Sequence, residues 1–122
     1  MKKTIVTVAA SLILMPAIVM AGNDHQNKMI NFNGPVDLTS VKSLLSDSSM
    51  FTEKDVIVEG YLIRQTRKDT YIFSDGEAEI EVELDDDINL AGPITAETKL
   101  RIYGEFEGGS TPEIEAEQIQ IL

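Results

Sequence analysis

Residues 77–84, which read EAEIEVEL, decide the fold of this chain. Glutamate and apolar side chains alternate with a period of two, which is typical of a β-strand with one buried and one solvated face. Ala78, Ile80, Val82 and Leu84 are therefore expected to face a hydrophobic core. The intervening glutamates form the solvated face, and their like charges protect the strand from aggregation.

Four more short strands are predicted around this one. Asp75-Gly76 is a strong hairpin signal immediately before residues 77–84. Because five short strands in a flat sheet would leave exposed edges, a small closed or partly open barrel is the expected arrangement. The four additional strands cover residues 56–64, 70–74, 99–106 and 114–121.

The strand patterns also predict local irregularities. Gly60, in the middle of the first strand, indicates a bend or bulge where the backbone turns a barrel corner. In the last strand the apolar positions change parity between Ala116 and Ile119, which predicts a bulge near Glu117 or Gln118.

A short helix is expected ahead of the first strand, within residues 36–45. Its apolar side chains recur with helical spacing, and Asp37 or Thr39 could cap its N-terminus. Such a helix would close one end of the barrel. Its predicted apolar face comprises Leu38, Val41, Leu44 and Leu45, and the predicted strand core includes Leu62, Ile80, Val82 and Ile102.

Five short motifs follow one another along the chain: NGP at residues 33–35, DVIVEGY at 55–61, DTYIFSD at 69–75, IEVELD at 80–85 and KLRIYGE at 99–105. Together with the N-terminal segment they resemble the bacterial OB-fold (BOF) family of periplasmic proteins, the YgiW-like group, over residues 32–122. Members of that family often carry a tryptophan after the third strand, where this chain has Ile88-Asn89-Leu90, a departure that bears on its ligand.

The resemblance carries expectations about fold and function. It implies a mainly β protein, with a five-stranded OB-fold barrel preceded by a short α-helix. It also implies a periplasmic binding role that is often associated with stress tolerance. It implies no catalytic residues, and we expect no cofactor.

The first 21 residues have the form of a cleaved signal peptide. Lys2 and Lys3 precede an uncharged apolar run, and Ala21 stands where a signal peptidase cleaves. A transmembrane anchor is the alternative, but the run is shorter than the roughly 20 apolar residues that a span needs. We predict a periplasmic protein without stable membrane insertion after cleavage. Its predicted parts are a signal peptide at 1–21, a flexible leader at 22–33 and an OB-fold domain at 34–122.

Composition excludes several classes of function. The net charge of the chain is −11, and it becomes −13 once Lys2 and Lys3 are removed. So acidic a surface repels phosphates, and nucleic acid is therefore not an expected partner. The chain has no cysteine and can form neither disulfides nor a lipid anchor on cysteine. His25, the single histidine, lies in the leader. Metal ligands occur in clusters, so a lone histidine there does not indicate a metal site.

One basic cluster stands out in the mature chain, at the turn between the first two strands. In OB folds this loop, the loop between strands four and five, and the face of strands two and three commonly bind ligands. Aromatic rings beside it could stack on a ligand, or they could pack beneath the loop or pair across strands. The candidate ligand-binding residues are Arg64, Arg67, Lys68, Tyr71 and Phe73.

Two other functions compete with binding. Residues 85–87 suggest a calcium-dependent interaction protein, with Asp75, Asp85 and Asp87 as weak metal candidates, although the EF-hand spacing and glycine are missing. A hydrolase could use the glutamates of residues 77–84, because neighbours on one strand face lie about 6.5–7 Å apart, as in inverting glycosidases. A solvated strand face explains the same pattern. We expect a non-enzymatic binding or adaptor protein whose partner is an envelope glycan, a small molecule, or a periplasmic or outer-membrane protein.

Overall fold

The structure, a computed structural model, describes residues 31–46, 49, 52–90 and 92–122. The predicted signal peptide and residues 22–30 of the predicted leader lie outside these residues. No helix in the described part of the chain is long and apolar enough to cross a membrane. The elements are α1 (Val41–Ser46), β1 (Glu53–Arg67), β2 (Thr70–Ser74), β3 (Glu79–Leu84), β4 (Leu100–Glu107) and β5 (Glu113–Ile121).

The strands form a closed barrel in the order β1-β2-β3-β5-β4, with β4 returning to pair with β1. All neighbours are antiparallel except β3 and β5, which run parallel. Among the five described strands, closure leaves none with a free row of backbone hydrogen-bonding groups along its whole length. The predicted barrel of five strands, with one short helix ahead of it, is confirmed.

Alternate side chains of each strand fill the barrel. Leu62, Ile80, Val82 and Ile102 are all 5% exposed or less, as the strand patterns predict. The remaining interior side chains are also apolar, so the core depends on packing rather than on disulfides. They are Val41, Leu44, Val56, Val58, Phe73, Leu100, Phe106, Ile114, Ala116 and Ile119.

Helix α1 begins later than the sequence pattern predicts. Thr39 donates a backbone hydrogen bond of 2.9 Å to the carbonyl of Ile57 in β1, which keeps the chain non-helical up to that point. Ser40 is therefore the N-cap instead of Asp37 or Thr39, and its Oγ accepts a hydrogen bond of 3.1 Å from the N–H of Ser43.

The late start changes which apolar residues the helix buries. Val41 and Leu44 are fully buried against the barrel, whereas Leu38 and Leu45 are exposed. Leu38 precedes the helix and so cannot share its apolar face. The predicted four-residue apolar face is therefore wrong for Leu38 and Leu45.

Gly60 marks the corner where β1 changes partner. The strand pairs with β4 up to Gly60 and with β2 from Tyr61 onward. A Cβ atom at Gly60 would clash with the carbonyl oxygen of Ser74, so only glycine allows the two strands to approach this closely. The bulges of β1 lie further along, because the register shifts at Ile63 and at Thr66.

The predicted irregularity of β5 is also present. Tyr103 of β4 pairs with Gln118, and the next residue, Gly104, pairs with Ala116. Glu117 is thus the extra residue of a bulge. This bulge explains why the apolar positions change parity between Ala116 and Ile119 in the sequence.

Candidate ligand groove

An open groove of about 220 Å³ lies where β1, β2 and the connection between β3 and β4 meet. It is smaller than the roughly 300–1,000 Å³ pockets that hold drug-sized ligands. Apolar side chains and a few polar groups share its walls, and none of them is an acid. The lining residues are Leu62, Ile63, Arg64, Gln65, Tyr71, Ile94, Thr95 and Ala96.

A bulge in β1 builds one wall of this groove. Leu62 pairs with Phe73, and Arg64 pairs with Ile72, so Ile63 is the unpaired extra residue. Such a bulge bends the strand and redirects the side chains that follow it. Leu62 therefore contributes to the core while Arg64, two residues later, is exposed at the groove.

The β1–β2 turn is tied to the same wall. Gln65 lies opposite Tyr71 in the strand pairing, and its Nε2 donates a hydrogen bond of 3.1 Å to the carbonyl of Lys68. This bond links the strand end to the turn residue. Lys68, although bonded to this wall, is not one of the residues that line the groove.

Residues 94–96 form the other wall. The N–H of Thr95 donates to Thr98 Oγ1 at 2.9 Å, and the N–H of Thr98 donates back to the Thr95 carbonyl at 3.1 Å. Ile94 is partly buried against the core. Sequence reasoning missed this wall, although two threonines three residues apart are a recognisable signal for a tight, side-chain-bonded turn.

The structure brings two of the predicted ligand-binding residues, Arg64 and Tyr71, into the groove. Arg67 instead lies near Glu81 on the outside of the barrel, with 3.9 Å between Nη2 and Oε1. Lys68 is exposed in the turn. The role of all of them as ligand contacts stays a prediction.

The predicted stacking role of Phe73 is wrong. Its ring is fully buried, because Phe73 pairs with Leu62 on one side and with Ile80 on the other, and both of these face the core. A ligand cannot reach the ring without opening the barrel. The alternative interpretation, an aromatic ring packed inside, holds for Phe73.

The weak metal candidates do not come together. Both carboxylate oxygens of Asp75 accept backbone hydrogen bonds, at 2.9 Å from Val41, 3.0 Å from Glu77 and 3.2 Å from Ala78. Asp85 and Asp87 are exposed. In the described part of the chain, the three acids whose carboxylate oxygens lie within 4.8 Å of one another are Glu105, Glu107 and Glu115.

Those glutamates, together with Glu113 and Glu117, form an acidic face on the outside of the barrel. Partial burial, followed by the charges of Glu83 and Glu107, raises the pKa of Glu113. Partial burial and the charge of Asp55 likewise raise the pKa of Glu117. The carboxylates of this face repel one another, and none of them lines the groove.

A partly buried ion pair crosses from β1 to β4 on the outer side of the barrel. Nε and Nη2 of Arg101 both lie 2.7 Å from Glu59 Oε2, and the Arg101 side chain is only 9% exposed. Hydrogen bonds to Glu59 and then to Tyr103 raise the pKa of Arg101. The strand pattern does not reveal this pair, which joins neighbouring strands away from the groove.

The family model described as "Bacterial OB fold (BOF) protein" matches residues 18–121. The chain belongs to the bacterial OB fold family. Among solved structures, this BOF protein is similar to the hypothetical protein ygiW from E. coli, with 25% sequence identity and a TM-score of 0.64. The alignment covers 77% of this chain and 100% of the other.

More distant structures share the fold alone. The aspartyl-tRNA synthetase from Entamoeba histolytica is 13% identical, with a TM-score of 0.50, over 88% of this chain and 28% of that enzyme. A putative aspartyl-tRNA synthetase from Leishmania major Friedlin gives the same identity and TM-score over 76% of this chain and 22% of that one. A search of curated proteins finds no match.

Proposed function

We propose that this BOF protein is a non-enzymatic binding protein of the bacterial periplasm, where it contributes to envelope stress tolerance. Its binding site is the groove beside the β1–β2 turn. The observation that carries this proposal is the meeting of Arg64 and Tyr71 with residues 94–96 around one concave surface. The location agrees with the loops and strand faces through which OB folds commonly bind.

The size and chemistry of the groove favour a small ligand. About 220 Å³ accommodates a small molecule or the terminal residue of a glycan rather than a length of polymer. Arg64, Gln65 and Thr95 offer hydrogen-bonding groups that can fix orientation. Binding is favoured over hydrolysis because the lining includes neither a carboxylate nor a histidine to act as acid or base.

Retention of a ligand from a natural mixture tests this function. The mature protein is incubated with the small-molecule fraction of a bacterial envelope extract, separated by gel filtration, and analysed by mass spectrometry. Ala96→Trp fills the groove, whereas the matched variant Glu97→Trp places the same ring just outside its lining. We expect a compound that the wild type and Glu97→Trp retain and Ala96→Trp loses. Equal retention by all three proteins, or by none, would contradict the proposal.

A further inference from the structure

We propose that the groove selects small organic carboxylates with an apolar body, and that Arg64 binds the carboxylate. This inference rests on the proposed function and specifies the ligand class of the same site. The evidence is the distribution of charge around the groove and the apolar character of its walls.

Arg64 differs from the other arginines of the chain. Arg67 lies within 3.9 Å of Glu81, and Arg101 is held at 2.7 Å by Glu59. Within the described residues, Arg64 makes no such ion pair. Its guanidinium is therefore available to a ligand.

The charge of the groove lining has the opposite sign to the net charge of the protein. The chain has 21 acids against 10 bases, yet the groove is lined by one cation and no acid. Elsewhere the acidic surface repels anions. An anion is therefore favoured at this surface by Arg64, whose planar guanidinium can donate two parallel hydrogen bonds to a carboxylate.

The single cation favours a monoanion. A carboxylate would be neutralised one for one by Arg64, whereas a dianionic phosphate would leave a negative charge close to an already acidic protein. Lys68, the next base in the turn, does not line the groove and so does not supply the second positive charge.

The rest of the groove suits an apolar body. Leu62, Ile63 and Ile94 give aliphatic surface, and the Tyr71 ring gives an aromatic one. The groove volume of about 220 Å³ is somewhat larger than the engineered cavity of about 150 Å³ that binds benzene. One ring, or a branched aliphatic chain of similar size, with a carboxylate on a short arm matches this space.

A series of probes with one shape and different charges tests the inference. Hydrocinnamate, its neutral amide and the amine of the same length are titrated separately, and amide chemical shifts of residues 62–65 and 94–96 are followed by NMR. We expect hydrocinnamate to bind most tightly. Arg64→Gln should weaken hydrocinnamate binding roughly tenfold and weaken binding of the uncharged amide by much less.

Arg67→Gln is the matched control, because it removes the same charge three residues away and outside the groove. The inference is overturned if the amide binds as tightly as hydrocinnamate, or if Arg67→Gln weakens binding as much as Arg64→Gln does. In both cases the groove would remain a binding site. Tighter binding of phenyl phosphate would overturn the preference for a monoanion.

A complete lack of shifts at the groove with every probe would also overturn the inferred ligand class. That outcome does not decide the proposed function, because the envelope-extract experiment with Ala96→Trp uses none of these probes. The two failures are therefore distinguishable.

Discussion

Asp75 holds together two parts of the fold that are far apart in sequence. Its carboxylate accepts hydrogen bonds from the backbone of Val41 at the start of α1 and from Glu77 and Ala78 in the β2–β3 turn. We expect Asp75→Ala to lower the free energy of unfolding by about 2 kcal/mol, because three backbone donors lose their acceptor. Urea unfolding near neutral pH measures the loss, and Asp87→Ala, in an exposed turn, should change little.

The effect of Asp75 should depend on pH. Burial acts to raise the pKa of Asp75, but the hydrogen bonds from Val41, Glu77 and Ala78 outweigh it and lower the pKa below its ordinary value of 3.8. The carboxylate therefore stabilises the fold above that value, and the stabilisation is lost as the pH falls through the folded-state pKa. The gap between wild type and Asp75→Ala should narrow below pH 3.8. A gap that stays constant there would contradict this account.

Phe73 is expected to act through packing alone. Because its ring is fully buried, Phe73→Ala should lower the free energy of unfolding by about 3–5 kcal/mol through lost burial and the cavity left behind. Urea unfolding followed by circular dichroism measures this loss. A variant that unfolds like the wild type would show that the ring does not belong to the core.

The sequence is sufficient to predict that Phe73 faces the core, although the residues of β2 alone do not show it. Tyr71, Ile72 and Phe73 are three consecutive apolar residues, so either parity of β2 is compatible with a core. The hairpin partner of β2 resolves the choice. The alternation of residues 77–84 fixes which side of β3 faces inward, and the hairpin pairing places Phe73 opposite Ile80, which lies on that side. Residues 94–96 carry no such periodicity, and only the folded chain brings them to the groove.

At the scale of elements, the strands whose pattern has one dominant face are the ones the sequence predicts best. The inward side of β3 and the bulge at Glu117 follow directly from alternation and its interruption. The sequence pattern places the helix start too early because residues before Val41 satisfy helical spacing, while Thr39 is already bonded to Ile57 in β1. A long-range hydrogen bond of this kind leaves no local signal.

The corner of β1 provides a test at the same scale. A Cβ atom at Gly60 would meet the backbone of Ser74 and Asp75, and backbone atoms cannot move aside as a flexible side chain can. We expect Gly60→Ala to lower the free energy of unfolding by about 1–3 kcal/mol, as overpacked sites do. Gly92→Ala is the matched control, because nothing lies within 4 Å of its added carbon. Equal urea midpoints for the two variants would argue against a close approach at the corner.

At the scale of the whole molecule, the excess of acids opposes folding at neutral pH. The outer surfaces of β1, β3, β4 and β5 place like charges opposite one another, for example where Glu81 pairs with Glu113 and Glu105 pairs with Glu115. This arrangement keeps the barrel solvated and discourages aggregation. Its repulsion is offset by the apolar core rather than by counter-charges, since bases are few.

Glu113 is where this repulsion should be measurable. Partial burial and the charges of Glu83 and Glu107 raise the pKa of Glu113, so its charged form is less favourable in the folded state than in the unfolded chain. As the pH falls through the raised pKa, the folded state takes up protons first and stability rises, until the unfolded chain also protonates near the ordinary value of 4.5. Glu113→Gln should therefore raise the urea midpoint at neutral pH, and the gain should shrink towards pH 4.5 and in high salt.

The control variant Glu97→Gln removes the same charge from the exposed β3–β4 connection and should give a smaller gain in the urea midpoint. If the two variants gain equally, the stabilisation reflects net charge alone, and the acidic face does not concentrate the repulsion at Glu113.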